Sequence, residues 1–161
     1  MELKINIRRA EPIDAEIISS LTAGVQRLHV EAEPEIFVPP ANENFTADLH
    51  REWLGSPDNY YFICEVGGEA AGYIFLRHFR REENAYTYAR EYIHIDQISV
   101  LPKYRGKGCG RQLVEQAFRL AEEMDISEIN LSTWEFNKDA QEFFKKMGFD
   151  TFLIQMRRRG K

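Results

Sequence analysis

The spacing of apolar residues changes along the chain, and each change marks an element. Leu3, Ile5 and Ile7 alternate with polar neighbours, which is the period of a half-buried strand. Pro12 suits a first helical turn. After it, Ile13, Ile17, Leu21, Val25 and Leu28 recur every three or four positions and predict a helix ending near His29. Residues 31–44 contain Pro34, Pro39 and Pro40, which no single regular element accommodates. A short helix is expected over 46–54, then strands over 60–66 and 70–79 joined by Gly67-Gly68, a hairpin signal. Residues 80–88 are polar and read as a loop. A strand over 92–101 stops at Pro102, and Leu113, Val114, Ala117, Leu120 and Ala121 carry a helix onward. A strand over 126–134, a helix over 137–147 closed by Gly148, and a last strand over 149–157 complete the pattern.

The order β-α-α-β-β-β-α-β-α-β has an antiparallel-like front half and a back half spaced for parallel pairing. It predicts an α/β fold: a mixed sheet with helices on both faces. The 161 residues suit one domain, 1–161, with no internal repeat or linker. No apolar run approaches the roughly 20 residues that cross a bilayer, and the charged N-terminal stretch does not resemble a secretory signal. A cytoplasmic protein without a membrane partner is expected. A net charge of −5 argues against nucleic acid as the main partner. The arginines at 157–159 read as a solvated tail. Cys64 and Cys109 are too few for a disulfide framework or a four-cysteine zinc site, and no metal is expected. Cys64 reads as a small core residue, Cys109 as a spacer in a glycine-rich turn.

That turn carries the chemistry. Between the strand ending at Pro102 and the next helix lie Gly106, Gly108 and Gly110, with Arg105, Lys107 and Arg111 around them. Glycines let other groups approach the backbone closely. The first N–H groups of a helix have no internal acceptor, and the helix dipole adds partial positive charge, so the segment suits a phosphate. It is not a Walker loop, and Arg111 stands where a dinucleotide fingerprint needs its third glycine.

Arg105-Gly-Lys-Gly-Cys-Gly resembles the Arg/Gln-x-x-Gly-x-Gly/Ala signature of the GNAT superfamily of N-acetyltransferases, and it follows a strand ending Ile-Ser-Val-x-Pro as theirs does. Downstream, Asn137-Lys-Asp-Ala-Gln-Glu-Phe-Phe-Lys-Lys-Met-Gly-Phe is similar to the family's Asn-x-x-Ala-x-x-Phe-Tyr-x-x-x-Gly-Phe segment. The resemblance covers residues 92–149. It implies a central sheet of about seven strands whose fourth and fifth members splay, with acetyl-CoA as cosubstrate between them. It assigns Arg105, Gly106, Lys107, Gly108, Cys109, Gly110 and Arg111 to the pyrophosphate, and the backbone of Ile98, Ser99 and Val100 to the pantetheine arm. Asn137 matches a pantetheine-binding position and is also suited to cap a helix. Phe144 stands beside the cofactor where the family commonly has a tyrosine, and it has no proton to give.

The implied reaction is acetyl transfer to a primary amine by direct attack on the thioester. An amine mostly protonated at neutral pH needs a proton acceptor. Asp96 is the first candidate, His94 the second and Glu91, through water, the third. Asp96 could instead only orient its neighbours, and His94 could be a packed histidine. With no tyrosine at 144, the thiolate leaves unaided or takes a proton from Tyr104, Tyr73 or Tyr92. On the acceptor side, Glu31, Glu33 and Glu35 could draw a cationic amine and Phe37 could wall its stem; simple solvation of these acids competes with that reading. Tyr86 and Tyr88 line a cleft or cover the sheet edge. A coenzyme-binding module without catalysis, and transfer of a longer acyl group, remain alternatives. Relatives of this kind often form homodimers, and no apolar stripe in the sequence names an interface.

Overall fold

The computed structural model describes residues 4–160. One mixed sheet holds β1 (Ile5–Arg9), β2 (Asn59–Val66), β3 (Glu69–Arg81), β4 (Arg90–Val100) and β5 (Ile129–Leu131), in that order across the sheet. β1 to β4 pair antiparallel, and β4 and β5 pair parallel. The predicted hairpin is present: Gly67 and Gly68 have φ of 60° and 86°, the left-handed pair that a tight two-residue turn requires.

Helices α1 (Ala15–Ala32) and α2 (Ala47–Leu54) pack on one face, where Ile18 and Leu21 meet Tyr61, Ile63, Tyr73 and Phe75. Helices α3 (Cys109–Glu123) and α4 (Lys138–Lys146) pack on the other, over a larger core. All five residues that defined the third helix by spacing, from Leu113 to Ala121, are buried there. The α/β fold with helices on both faces stands as expected.

Three expectations change. On α1 the buried face is Ala15, Ile18, Ser19, Leu21 and Ala23, whereas Ile13 is 81% exposed and Ile17 and Leu28 also face water. Small residues let α1 lie close to the sheet, and Ser19 Oγ accepts from Thr46 N–H and Oγ1 at 3.1 and 3.0 Å, tying the start of α2 to α1. Leu3 lies outside the described residues. β5 is shorter than the run expected over 126–134. The strand expected over 149–157 does not form: Phe149 N–H bonds back to Phe144, and residues 150–160 are exposed without backbone partners among the described residues. The sheet of the described residues therefore has five strands rather than about seven.

Candidate active site

β4 is regular to Ile95 and then breaks step. Leu76 opposes Ile95 and Phe75 opposes Gln97, so Asp96 is an unpaired bulge residue. Ile93 and Ile95 face the α3 core, as do Ile98 and Val100 beyond the bulge, while Gln97 and Ser99 turn to the α1 face. On its other side β4 pairs with β5 only at Ile93–Ile129, His94–Asn130 and Ile95–Leu131. Among the described residues, 96–100 continue with no strand paired on that side. Leu101 N–H points to β3, donating to Ala71 O at 2.8 Å. Strand alternation therefore turns the N–H and C=O groups of Val100 and Ile98 into this gap. The Val100 carbonyl accepts there from Arg105 Nε at 3.1 Å.

The gap leads to the N-terminus of α3. Gly106 and Gly108 hold φ of 72° and 92°, which side chains resist, and Gly108 is the helix cap. The first helical bond is from Gln112 N–H to Gly108 O. Among the described residues no acceptor faces the N–H groups of 106–111. A Cβ on Gly106 would meet nothing within 4 Å, and on Gly108 only Ile5 Cδ1 at 3.8 Å, so the turn is not filled by its own side chains. Gly110 is different, with Phe143 3.4 Å from where its Cβ would lie. Cys109 is buried against Cys64, whose thiol burial pushes up to about 12 with Cys109 hydrogen-bonded beside it. Its side chain belongs to the core, and only its backbone faces the loop's open side.

His94 and Asp96 both address the α1 face, at the last paired rung and the bulge. Asp96 pairs with Arg77 at 3.6 Å, and that guanidinium lies over Trp53 and Phe75. His94 Nδ1 is 2.7 Å from Asn130 Oδ1, and Asn130 Nδ2 donates to Glu128 Oε1 at 2.9 Å. Because the carboxylate only accepts, the amide oxygen must face His94, so Nδ1 carries the proton and a neutral ring keeps its lone pair on Nε2. Arg90 holds Glu128 in turn at 2.6 Å. Glu91, by contrast, falls on the α3 face with Ile93 and accepts from buried His78 Nε2 at 2.7 Å, so it does not join Asp96 and His94.

Two of the three tyrosines suggested as proton donors, Tyr73 and Tyr104, are committed elsewhere. Tyr73 is fully buried, lies 2.7 Å from Thr22 Oγ1 and donates to Gln97 Oε1 at 2.6 Å; burial pushes its phenol well above the usual range. Tyr104 donates to Glu69 at 2.6 Å. Tyr92 stacks on Phe79. Phe144 is buried edge-on to Phe143 and Phe149. Asn137 caps α4, its Oδ1 accepting from Ala140 N–H at 3.2 Å, which leaves its Nδ2 uncommitted among the described residues. Ser99 Oγ donates to Leu21 O at 2.7 Å, fixing α1 to β4.

On the acceptor side, Phe37 packs edge-on against His29 at 4.8 Å and Trp134 at 5.1 Å, and Phe136 completes the group. Glu33 is already matched by Arg157 and Arg159, both at 2.8 Å, and these guanidiniums hold its carboxyl below the usual range. Arg159 also bonds Glu35. The arginine tail is thus pinned to the protein rather than free in water, and of the three acids Glu31 alone keeps an unpaired carboxylate among the described residues. Tyr86 and Tyr88 are almost wholly exposed and cover nothing. Sequence reasoning missed Asn130, Trp134, Phe136 and Gly72. The first three sit in or just past β5, where side-chain type alone signals nothing. Gly72 is a strand glycine at a close backbone approach, which was a readable signal.

The chain matches known proteins over this region. Residues 24–149 fit the profile described as the Acetyltransferase (GNAT) family. A putative ribosomal protein bS18-alanine N-acetyltransferase of Bacillus subtilis is 27% identical over 73% of this chain and 70% of its own length. An uncharacterized N-acetyltransferase of Methanocaldococcus jannaschii is 30% identical over 62% of this chain, a match spanning only 43% of that protein. Among solved structures, a protein of Bacillus halodurans superposes with a TM-score of 0.88 at 20% identity, covering 96% and 99% of the two chains. An aminoglycoside N-acetyltransferase in complex with CoA superposes at 0.71 and 18% identity, covering 100% and 97%. With the bulged, half-unpaired fourth strand and the glycine-lined helix start both inside the matched residues, the chain belongs to the GNAT family of acetyltransferases.

Proposed function

We propose that the protein transfers the acetyl group of acetyl-CoA to a primary amine. The observation that carries this reading is a pair of open backbone sites, the strand edge at Ile98 and Val100 in the gap and the amides of 106–111 at the start of α3. The first N–H groups of a helix have no internal acceptor and are free to bind an anion. A helix N-terminus opening on two left-handed glycines suits a diphosphate, with Lys107 and Arg111 adding charge. The strand edge at residues 98–100 suits an extended amide-bearing arm, and Asn137 Nδ2 can add a bond to it. Arg105 instead braces the strand end through the Val100 carbonyl. Acetyl-CoA supplies the acetyl group already activated as a thioester.

His94 Nε2 is the proton acceptor in this reading, because the Glu128–Asn130 chain engages Nδ1 and leaves Nε2 aimed away from β5. The amine nitrogen bonds to the acetyl carbon, the C–S bond breaks, and the ammonium proton passes to Nε2. Asp96, paired with Arg77, orients the incoming amine and favours its positive form on approach. Glu31 and the aromatic group around Phe37 line the approach. A thiol of ordinary pKa, about 8.5, leaves without help from position 144.

The test is thermal melting with acetyl-CoA, coenzyme A and nucleotides lacking the pantetheine arm, followed by thiol release on a panel of amines. Acetyl-CoA should give the largest stabilisation, since a ligand of the folded state raises stability by mass action. Tight binding with no thiol release on any amine would favour a binding module instead.

A further inference from the structure

Two arginines of this chain meet carboxylates in different ways. Arg8 is closed on its partners: Nη1 and Nη2 bond Asp14 at 2.9 and 2.8 Å, and Nε bonds Glu65 at 2.6 Å. Arg77 stays open. Its Nη1 stands 3.6 Å from Asp96 Oδ1, too far for a hydrogen bond. Among the described residues no acceptor bonds its other N–H groups, and with the side chain 33% exposed they face solvent.

A freely swinging arginine would close that distance. The Arg77 guanidinium carbon instead lies 5.3 Å from the ring centroids of both Trp53 on α2 and Phe75 on β3, and those rings stack on each other at 5.4 Å. The aromatic rings fix the plane of the fork and hold it short of Asp96. Asp96 keeps its own place as the bulge residue of β4 and is 24% exposed. Arg77 also lies directly opposite His94 in the β3–β4 register. Such facing residues have Cβ atoms about 5 Å apart on one face of the sheet. Arg77, His94 and Asp96 therefore converge on the acceptor side of the gap. With Asn59 and Phe79, Arg77 lines a solvent-open cavity of about 450 Å³, the size of a small-molecule site.

A cation and an anion held apart beside a base fit a molecule that carries both opposite charges. We propose that Arg77 determines specificity by binding a carboxylate of the acceptor, and that the acceptor is a free α-amino acid. Its ammonium group meets Asp96, and its carboxylate meets the guanidinium fork through two N–H groups at once. Covalent geometry sets the amine nitrogen and the carboxyl carbon of such a molecule roughly 2.5 Å apart, so it spans the two side chains with both charges matched. A lysine-like side-chain amine puts its carboxylate several ångströms too far away, and a diamine or a peptide's amino terminus brings no carboxylate beside the amine. This inference rests on the acetyl-transfer reading and narrows its acceptor.

The experiment compares the common L-amino acids with their amides on the full chain, reading thiol release from acetyl-CoA. At least one free amino acid should be used with a kcat/KM at least tenfold above that of its amide. Arg77→Gln should bring the two within about twofold by losing rate on the acid alone. Arg77→Lys, which keeps the charge without the fork, should restore part of the difference. Both variants should keep the parent's circular dichroism and its melting shift with acetyl-CoA. Melting of the coenzyme A-loaded protein reads the same recognition without turnover: free acids should raise it, amides should not, and Arg77→Gln should lose the effect. Equal rates on acid and amide in the parent, or equal losses on both in Arg77→Gln, would overturn the proposal and leave acetyl transfer standing. If no amine releases thiol, the acetyl-transfer reading fails, and the melting comparison alone decides the role of Arg77.

Discussion

Gly72 tests whether the gap beside β4 depends on a close backbone approach. A Cβ there would lie 2.4 Å from Ser99 O and 3.1 Å from both Cα and Cγ2 of Val100. Carbon and carbonyl oxygen tolerate roughly 3.3 Å, so in Gly72→Ala the two strands must separate by roughly 0.9 Å. The obstructing atom is backbone, which cannot swing aside as a side chain can. Overpacking of this kind costs about 1–3 kcal/mol, against a gain of about 0.4–1 kcal/mol from the stiffer unfolded chain. At roughly 2–4 °C per kcal/mol for a chain of this size, the melting temperature should fall by a few degrees.

The larger consequence is at the site. Ser99 is tied to α1 through Leu21 and Val100 to the loop through Arg105, so a moved β4 carries the 98–100 edge and the phosphate turn out of register with each other. The melting shift produced by acetyl-CoA should therefore shrink by more than the stability loss alone would explain. Gly24→Ala is the control: nothing lies within 4 Å of its Cβ, and it should raise stability by roughly the glycine-to-alanine helix difference of about 1 kcal/mol. If Gly72→Ala melts like the parent and keeps the full acetyl-CoA shift, the close approach does not hold the site.

Gly108→Glu should abolish the acetyl-CoA shift, because it puts a β-carbon on a φ of 92° and a carboxylate among the open amides; melting with and without ligand checks it. Asn130→Ala should remove the acceptor that fixes His94, so that ¹⁵N imidazole shifts at alkaline pH move from one tautomer to a mixture and thiol release falls; an unchanged spectrum would separate His94 from Asn130. His50 is buried at 3.1 Å from Tyr61, and burial pushes its imidazole from 6.5 down to about 4. The unfolded chain takes up this proton first as pH falls, so stability present above pH 6.5 is lost toward pH 4, by up to about 3 kcal/mol. His50→Gln should flatten that part of the melting-versus-pH curve relative to the parent.

Much of this site was legible because its signals are local. Glycines at 106 and 108 announce a backbone that side chains resist, and the spacing from Leu113 to Ala121 announces a helix behind it; both follow from covalent geometry and period. The face of α1 was misread because period weighs size, and here Ala15, Ser19 and Ala23 face the sheet while the larger Ile13 faces water. Glu33 looked like a free carboxylate because its partner Arg157 is 124 residues away. Residues 149–157 have the composition of a strand, and composition does not report whether a neighbour exists. Asn130 was invisible for a related reason: its role comes from facing His94 across a parallel rung that only the folded sheet creates.

The bulge at Asp96 links these observations. If Asp96 were instead paired in a regular strand, β4 would keep one alternation from Ile93 to Val100, and Gln97 rather than Ile98 would face the α3 core. The extra residue reverses the phase, so apolar side chains meet α3 on both sides of the break while the backbone groups of Ile98 and Val100 turn outward. The same break coincides with the end of β5 pairing, since a partner in register with Ile95 is out of register beyond it. Deleting Asp96 should therefore do more than remove a carboxylate. It would make β4 regular, with Gln97 still toward α1 and Ile98 and Val100 still toward the α3 core, so that pairing with β5 could continue past Ile95 and close the open edge that faces the gap. Conversely, Asp96→Ala keeps the bulge, and should leave acetyl-CoA stabilisation near that of the parent while weakening thiol release at low amine concentration. If the point substitution and the deletion lose acetyl-CoA binding alike, the carboxylate matters to the cosubstrate and the backbone argument fails.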